Sequence, residues 1–218
     1  MQISMKAHTV RVKVKRSDNM LSSLLNGKKI ILASASPRRR ELLGGLGVGF
    51  TVDTGNSFEE IAPEGLPFEE IPEFMAKGKS YGFHRELAND EIIITADTMV
   101  LCDDEIMGKP KDREDAVRML NKPQDNTHKV LTGVCIRCNG KVVSFTASTD
   151  VEFGTLSAEE IDFYLNTYAP FDKAGSYGVQ EWIGYVAIRK IDGSFYNVMG
   201  LPVHMLYNEL KEMLVSLE

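Results

Sequence analysis

Lys29-Ile30-Ile31-Leu32-Ala33-Ser34-Ala35-Ser36-Pro37-Arg38-Arg39-Arg40-Glu41-Leu42-Leu43 is the stretch on which the fold assignment turns. Its first five residues are apolar, β-branched and bounded by polar ones, which is the pattern of a short buried strand. Ser34 to Pro37 turn the chain. Ser36 suits an N-cap, and Pro37 suits the first helical position, where its missing N–H costs nothing. Leu42, Leu43 and Leu46 then mark the buried face of a helix expected to stop at Gly47. A strand running into a capped helix is the opening unit of an α/β domain.

The rest of the chain continues in that grammar. A second helix is expected from Phe68 to Glu86, with Pro72 near its start. Glu91 to Leu101 reads as a central strand, apolar on both faces, followed by a turn at Asp103-Asp104 and a helix from Asp112 to Leu120. Lys129–Arg137 and Lys141–Phe153 read as an antiparallel pair turning at Asn139-Gly140. Ser157 and Glu160 form a capping box, with Leu156 and Ile161 as its hydrophobic staple, opening a helix to about Tyr168. A Gly-rich stretch, Gly175 to Gly184, leads to an expected strand near Tyr185–Ile191. A C-terminal helix starts near Pro202. The expectation is one α/β domain, a central mixed sheet flanked by helices, with two lobes around a cleft.

The composition is that of an ordinary globular protein: 218 residues, 43% hydrophobic and 26% charged. No apolar run of about 18 residues is present, which excludes a transmembrane helix. Three cysteines (Cys102, Cys135, Cys138) are too few and odd in number for a disulfide scaffold, which favours a reducing cytoplasm. The formal charge is −6, unevenly spread. Residues 1–40 hold ten basic side chains against Asp18 alone, so the remainder holds 15 basic and 30 acidic ones, a balance of −15. That disfavours a general nucleic-acid binder, which needs clustered Lys and Arg. Residues 1–27 are read as an N-terminal extension, with an extra edge strand within Met1–Asn19 as the rival reading, and 28–218 as the domain.

Three constellations can carry chemistry. Ser34 to Arg40 put hydroxyls and arginine forks at a helix N-terminus, where free N–H groups and the helix dipole favour an anion. A capped helix with a solvated basic first turn is the plain alternative. It is the weaker one, because cations oppose the dipole there. Asp97 follows a run of isoleucines in a central strand, and burying a lone carboxylate is expensive. It is therefore expected at the strand's C-terminal end, facing a cleft where a metal or water meets it; a strand-end turn cap is an equal alternative. Thr98 beside it can orient a ligand or simply favour the strand. In Asp172 to Gln180, glycines permit close backbone approach, Asp172 and Lys173 supply charge, and Gln180 offers an amide that can both donate to and accept from a base. A plain surface turn fits that stretch as well. Glu59, Glu60, Lys79 and Lys109 are further acids and bases, and Glu59-Glu60 can ligate a divalent cation or form a solvated acidic turn. Cys135-Ile136-Arg137-Cys138 lies inside an expected strand, unlike a redox CxxC. It also lacks the further ligands that a structural zinc site needs. His8, His84, His128 and His204 show no ligand spacing.

Leu32 to Leu43, Ala96-Asp97-Thr98, Lys109-Pro110 and Asp172 to Gln180, in this order, resemble the Maf family of nucleoside-triphosphate pyrophosphatases, once described as septum-formation inhibitors. The resemblance runs from about Lys28 to the C-terminus. It implies a fold similar to inosine-triphosphate pyrophosphatases, a homodimer, a divalent cation (Mg²⁺ or Mn²⁺), and hydrolysis of a nucleoside triphosphate to the monophosphate and pyrophosphate. Carried over residue by residue, it implies Asp97 as the proton acceptor for the attacking water or a metal holder, with Glu60 assisting at the metal. It implies Ser36, Arg38, Arg39, Lys79 and Lys109 as phosphate ligands, and Lys173 as a further substrate-binding residue. The branch of the family that hydrolyses dTTP and UTP carries Arg, Thr and Gln at three specificity positions, matched here by Arg38, Thr98 and Gln180. A pyrophosphatase for another nucleotide such as 7-methyl-GTP, and a non-enzymatic septation regulator, are the alternative readings. The chain departs from the family pattern at Thr95 and Glu181-Trp182, where glycines are usual or common. It departs again at Gln124-Asp125-Asn126, in place of a Ser-Gly turn.

Overall fold

The computed structural model describes residues 10–12 and 20–217. They form two compact units, the described residues up to Asp97 with Gly133–Thr146 and 200–217, and Thr98–Thr132 with Ala147–Met199. In the first, β2 (Lys29–Leu32) passes through α2 (Pro37–Gly45) to β3 (Phe50–Val52). β2 is parallel both to β3 and to β4 (Glu91–Cys102), so that Ile30 is in register with Phe50 on one side and Ile92 on the other. A parallel return needs a crossover, and α2 provides it. Ile30, Ile31, Leu32, Ile92, Ile93 and Ile94 are all buried, as continuous apolar runs in a parallel sheet require.

β1 (Val10–Val12) runs antiparallel along β3 and makes the sheet mixed. α1 (Met20–Leu24) buries Leu21 and packs on α8 (Val203–Val215). The stretch 1–27, expected as an extension, thus supplies a strand and a helix; residues 1–9 and 13–19 lie outside the described residues. The second helix is shorter than the expected Phe68–Glu86. A 3-10 turn, Phe68–Glu70, precedes α3 (Ile71–Tyr81), which closes at Gly82. Phe83 then turns back to bridge with Asn56, and that tertiary pairing ends the helix.

In the second unit, β4 turns at Asp103-Asp104, both with positive φ, into β5 (Glu105–Met107). Val100 to Cys102 pair there with β5, so Asp97 lies within the strand and not at its C-terminal end as expected. α4 (Arg113–Asn121) is capped by Asp112, whose carboxylate accepts from the Asp115 N–H at 2.8 Å. β6 (Asn126–Cys138) and β7 (Lys141–Phe153) are the expected pair, with Cys135 and Cys138 buried inside β6. The reciprocal Ser157–Glu160 capping box opens α5 (Ala158–Tyr168). The expected strand Tyr185–Ile191 is instead α6 (Trp182–Val186) followed by β8 (Ile188–Asp192), which is antiparallel to β7. The Gly184 N–H bonds the Glu181 carbonyl at 2.9 Å, and this local turn overrides the β-forming side chains. α7 (Phe195–Met199) follows. Strand order is β1-β3-β2-β4-β6-β7-β8, with β5 on β4, a mixed sheet flanked by helices as expected.

Val100, Cys102, Met107, Met119, Val130 and Val151 form one core cluster of this second unit. His128 is buried beside Phe153 and Tyr177, with Nε2 at 2.7 Å from the Tyr177 hydroxyl and Nδ1 without a partner. Burial pushes its pKa down from 6.5 to about 4, Asp150 pulling weakly the other way. The unfolded chain therefore takes up a proton that the folded one refuses. This contribution to stability is full above pH 6.5 and is lost as pH falls towards 4, by about 3 kcal/mol in total. Urea unfolding of His128→Gln should lack that part of the acid slope. An identical slope in the variant would remove His128 as its source.

Candidate functional site

The first group of expected site residues gathers in the first unit. Ser36 caps α2 by accepting from the Arg39 N–H at 3.4 Å, and its own N–H donates to the Ser34 hydroxyl. This local geometry aims the N-terminal turn that bears Arg38. The Arg39 guanidinium points elsewhere. It donates from Nε to the Gly200 carbonyl at 2.8 Å, and from Nη1 to the Ala96 carbonyl at 2.9 Å and the Ser34 hydroxyl at 3.3 Å. Burial lowers its pKa, while Asp97 and Glu60 raise it and Arg38 lowers it further. Arg39 thus braces α2 against β4 and the segment before α8.

Asp97 meets Lys79 from the last turn of α3: Nζ lies 2.6 Å from Asp97 Oδ1 and 2.8 Å from Glu60 Oε2. The Lys79 and Asp97 side chains are 17% and 21% exposed and that of Glu60 is 60% exposed, so the arrangement has a half-buried floor and an open rim. Two contacts fix α3 on the sheet, one to β4 and one to β6. Thr95, at a position where the resemblance leads one to expect glycine, donates its hydroxyl to the Ala76 carbonyl at 2.6 Å, one turn from Lys79. Arg137 Nε donates to the Ser80 hydroxyl at 2.9 Å.

Glu60 rides on the long loop between β3 and α3, and three contacts fasten that loop to α3. The Asn56 side chain donates to the Lys79 carbonyl, the Ser57 N–H donates to the Gly82 carbonyl at 2.8 Å, and Phe58 lies over Gly78. A Cβ on Gly78 would stand 2.2 Å from the Phe58 ring, which explains a glycine inside a helix at a propensity cost of about 1 kcal/mol. At the start of the loop, His84 Nε2 lies 3.0 and 3.1 Å from the two oxygens of buried Asp53.

Asp97 Oδ1 and Glu60 Oε2 converge on one cation, the Lys79 ammonium. Two hard carboxylate oxygens aimed at a single point fit Mg²⁺ or Mn²⁺, which bind through one or two carboxylates with water and phosphate completing the shell. Among the described residues no cluster of three or more His, Cys, Asp or Glu has metal-holding geometry. The protein's contribution to such a site would be this pair.

The second unit holds the remaining expected residues. Thr98 Oγ1 is 3.0 Å from Thr132 Oγ1, and Thr132 in turn donates to the carbonyl of buried Asn197. Asn197 is itself fixed by the Val130 carbonyl and the Thr149 hydroxyl, both at 3.0 Å. Lys109 is exposed on the loop after β5. Lys173 is buried, its ammonium 2.9 Å from Asp172 and 3.1 Å from Glu181. Gln180 is half-buried, and its side-chain Oε1 is buried with no hydrogen-bond partner. Sequence reasoning did not single out Asn56, Phe58, Thr132, Tyr164 or Asn197, and it noted Glu181 only as a departure from the family pattern. A glycine inside α3 was the one local signal of the Phe58 contact; the others are paired across tens of residues and leave no periodic trace.

The profile of the Maf-like protein family matches residues 29–213. A protein of Phocaeicola vulgatus named dTTP/UTP pyrophosphatase is 53% identical over 185 residues, 85% of this chain and 96% of that one. Proteins of the same name from Porphyromonas gingivalis W83 and Bacteroides thetaiotaomicron are 51% and 49% identical, over 84% and 87% of this chain and 94% and 98% of theirs. No helix among the described residues is long and apolar enough to cross a membrane.

Proposed function

The chain belongs to the Maf family, and on that premise we propose that it hydrolyses dTTP and UTP between the α and β phosphates, releasing the nucleoside monophosphate and pyrophosphate. The observation that carries this reading is the convergence of Asp97, Lys79 and Glu60 in the same unit as the capped N-terminus of α2.

A triphosphate brings several negative charges, and attack at the α phosphorus spreads more over its equatorial oxygens. Catalysis is therefore mainly positioning and electrostatic stabilisation. Ser36 and Arg38 at the α2 N-terminus, Lys79 on α3 and Lys109 are the phosphate-binding groups in this reading. Asp97 accepts the proton of the attacking water, with Lys79 holding its carboxylate in place. Asp97 and Glu60 would hold Mg²⁺ or Mn²⁺, which when bound supplies positive charge against the phosphates and makes water more acidic. Thr98, steadied by Thr132, and Gln180 select the base. The unpartnered Gln180 Oε1 is an acceptor suited to the N3–H of uracil or thymine, with its amide N–H₂ available to O4. The reading carries with it a homodimer working in the cytoplasm.

The test is turnover of purified protein with Mg²⁺ or Mn²⁺ on UTP, dTTP, the other NTPs and dNTPs, and 7-methyl-GTP, separating pyrophosphate from phosphate. UMP or TMP with pyrophosphate is the expected outcome. Preference for 7-methyl-GTP would move the chain to another branch. Folded, metal-supplied protein that turns over nothing would overturn the enzymatic reading.

A further inference from the structure

Buried lysines need partners, because an isolated ammonium out of water costs several kcal/mol. Lys173 has two, Asp172 and Glu181, and the second connects far more than a charge. Glu181 Oε1 takes the Lys173 ammonium, and Oε2 takes the Tyr164 hydroxyl of α5. The Tyr164 oxygen in turn accepts the Gly178 N–H at 2.9 Å. The Glu181 backbone closes the same turn, its N–H bonding the Gly178 carbonyl at 2.9 Å. A Cβ on Gly178 would fall 2.8 Å from the Glu181 carboxyl carbon, so the carboxylate lies directly against the loop backbone. The start, middle and end of the Lys173–Glu181 stretch are therefore pinned by one side chain. Both oxygens of Glu181 are engaged inside the protein, and the residue before it is Gln180, whose Oε1 is buried without a partner.

We infer that Glu181 is a positioning residue for base selection: by tying Lys173, Tyr164 and Gly178 together it holds the Gln180 amide preorganised for the pyrimidine edge. The inference rests on the base-reading role proposed above for Gln180. It also makes Lys173 a strut of this loop and not a direct substrate ligand. Preorganisation matters here because an acceptor that must first be ordered gives back part of each hydrogen bond it makes. The resemblance leads one to expect glycine at position 181. A chain without this carboxylate needs another means of fixing the loop.

The experiment compares wild type, Glu181→Ala and Tyr164→Phe on UTP, dTTP and ATP, reading kcat and KM separately together with Tm. Tyr164→Phe keeps the buried ring and removes only the hydroxyl that joins Gly178 to Glu181, so it tests the same linkage should Glu181→Ala fail to fold. Glu181→Ala is expected to raise KM for UTP and dTTP with kcat within about twofold, and to reduce the preference for UTP over ATP about tenfold, the equivalent of 1.4 kcal/mol. Tyr164→Phe should shift the preference in the same direction by less. A purely structural role would lower Tm and scale every nucleotide alike, and an unchanged UTP-to-ATP ratio in both variants would overturn the inference while leaving the pyrimidine reading intact. Wild-type protein showing no pyrimidine preference would overturn that reading and the inference together.

Discussion

Asp97→Asn should lower kcat for UTP hydrolysis by about 10²–10⁴-fold while leaving the fold intact, the range spanned by loss of a positioned general base. At about 1.4 kcal/mol per factor of ten this is about 3–5 kcal/mol of barrier. The fold survives because asparagine keeps the shape and its Oδ1 still accepts from Lys79 Nζ, now 2.6 Å from the carboxylate. Basicity and negative charge are what disappear. At saturating metal the effect belongs in kcat more than in KM, since removing a negative charge does not weaken the direct attraction of a polyanion to Lys79 and Arg38. Mn²⁺ titrated without nucleotide should bind Asp97→Asn more weakly, because the Asp97–Glu60 pair is then halved. Steady-state kinetics and thermal melts on the same preparation check all of this. A rate within tenfold of wild type at unchanged Tm would assign the proton to some other group.

Much of this site could be read from the chain wherever the cause is local. The Ser36 cap and the Ser157–Glu160 box depend on residues three apart, and the sequence shows them directly. Asp97 stood out because carboxylates rarely follow three isoleucines. Its strand was legible too, as Glu91 to Leu101; its distance from the strand's end was not, since the pairing that carries β4 on to Cys102 comes from β5. The ion pairs were hidden for a different reason. Lys79 meets Asp97 and Glu60 only after β4, α3 and a long loop have packed, and nothing in its neighbours announces which acid it will find. Lys173 is a further case: a cation in a glycine-rich stretch reads as a substrate ligand, and nothing local shows that Glu181 pairs with it. Tyr185 to Ile191 failed through propensity, where a turn closed by the Glu181 carbonyl outweighs β-branched side chains.

Arg39 offers the sharpest separation between binding and bracing, because its neighbours Arg38 and Arg40 are chemically identical in sequence. Its guanidinium satisfies the carbonyls of Ala96 and Gly200 and the Ser34 hydroxyl at once. Arg39→Met keeps the length of the stem and strips all three donors. The Ser34 hydroxyl keeps the Ser36 N–H, so the loss falls on the two carbonyls, at about 1–3 kcal/mol for each buried donor–acceptor contact removed. Relief from desolvating the guanidinium, which already lowers its pKa, returns part of that. A net loss of about 3–5 kcal/mol is expected, or about 10 °C in Tm for a chain of this size. Arg39→Lys should fall between the two, since a point-like ammonium cannot span three acceptors on separate segments. Activity should decline in both because the Ala96 carbonyl sits next to Asp97, and loosening it misplaces the carboxylate. Differential scanning calorimetry and UTP kinetics on the three proteins decide the matter. A Tm within about 2 °C of wild type, together with a large rise in KM for UTP, would show that Arg39 turns to the phosphates when substrate arrives and that the brace is dispensable.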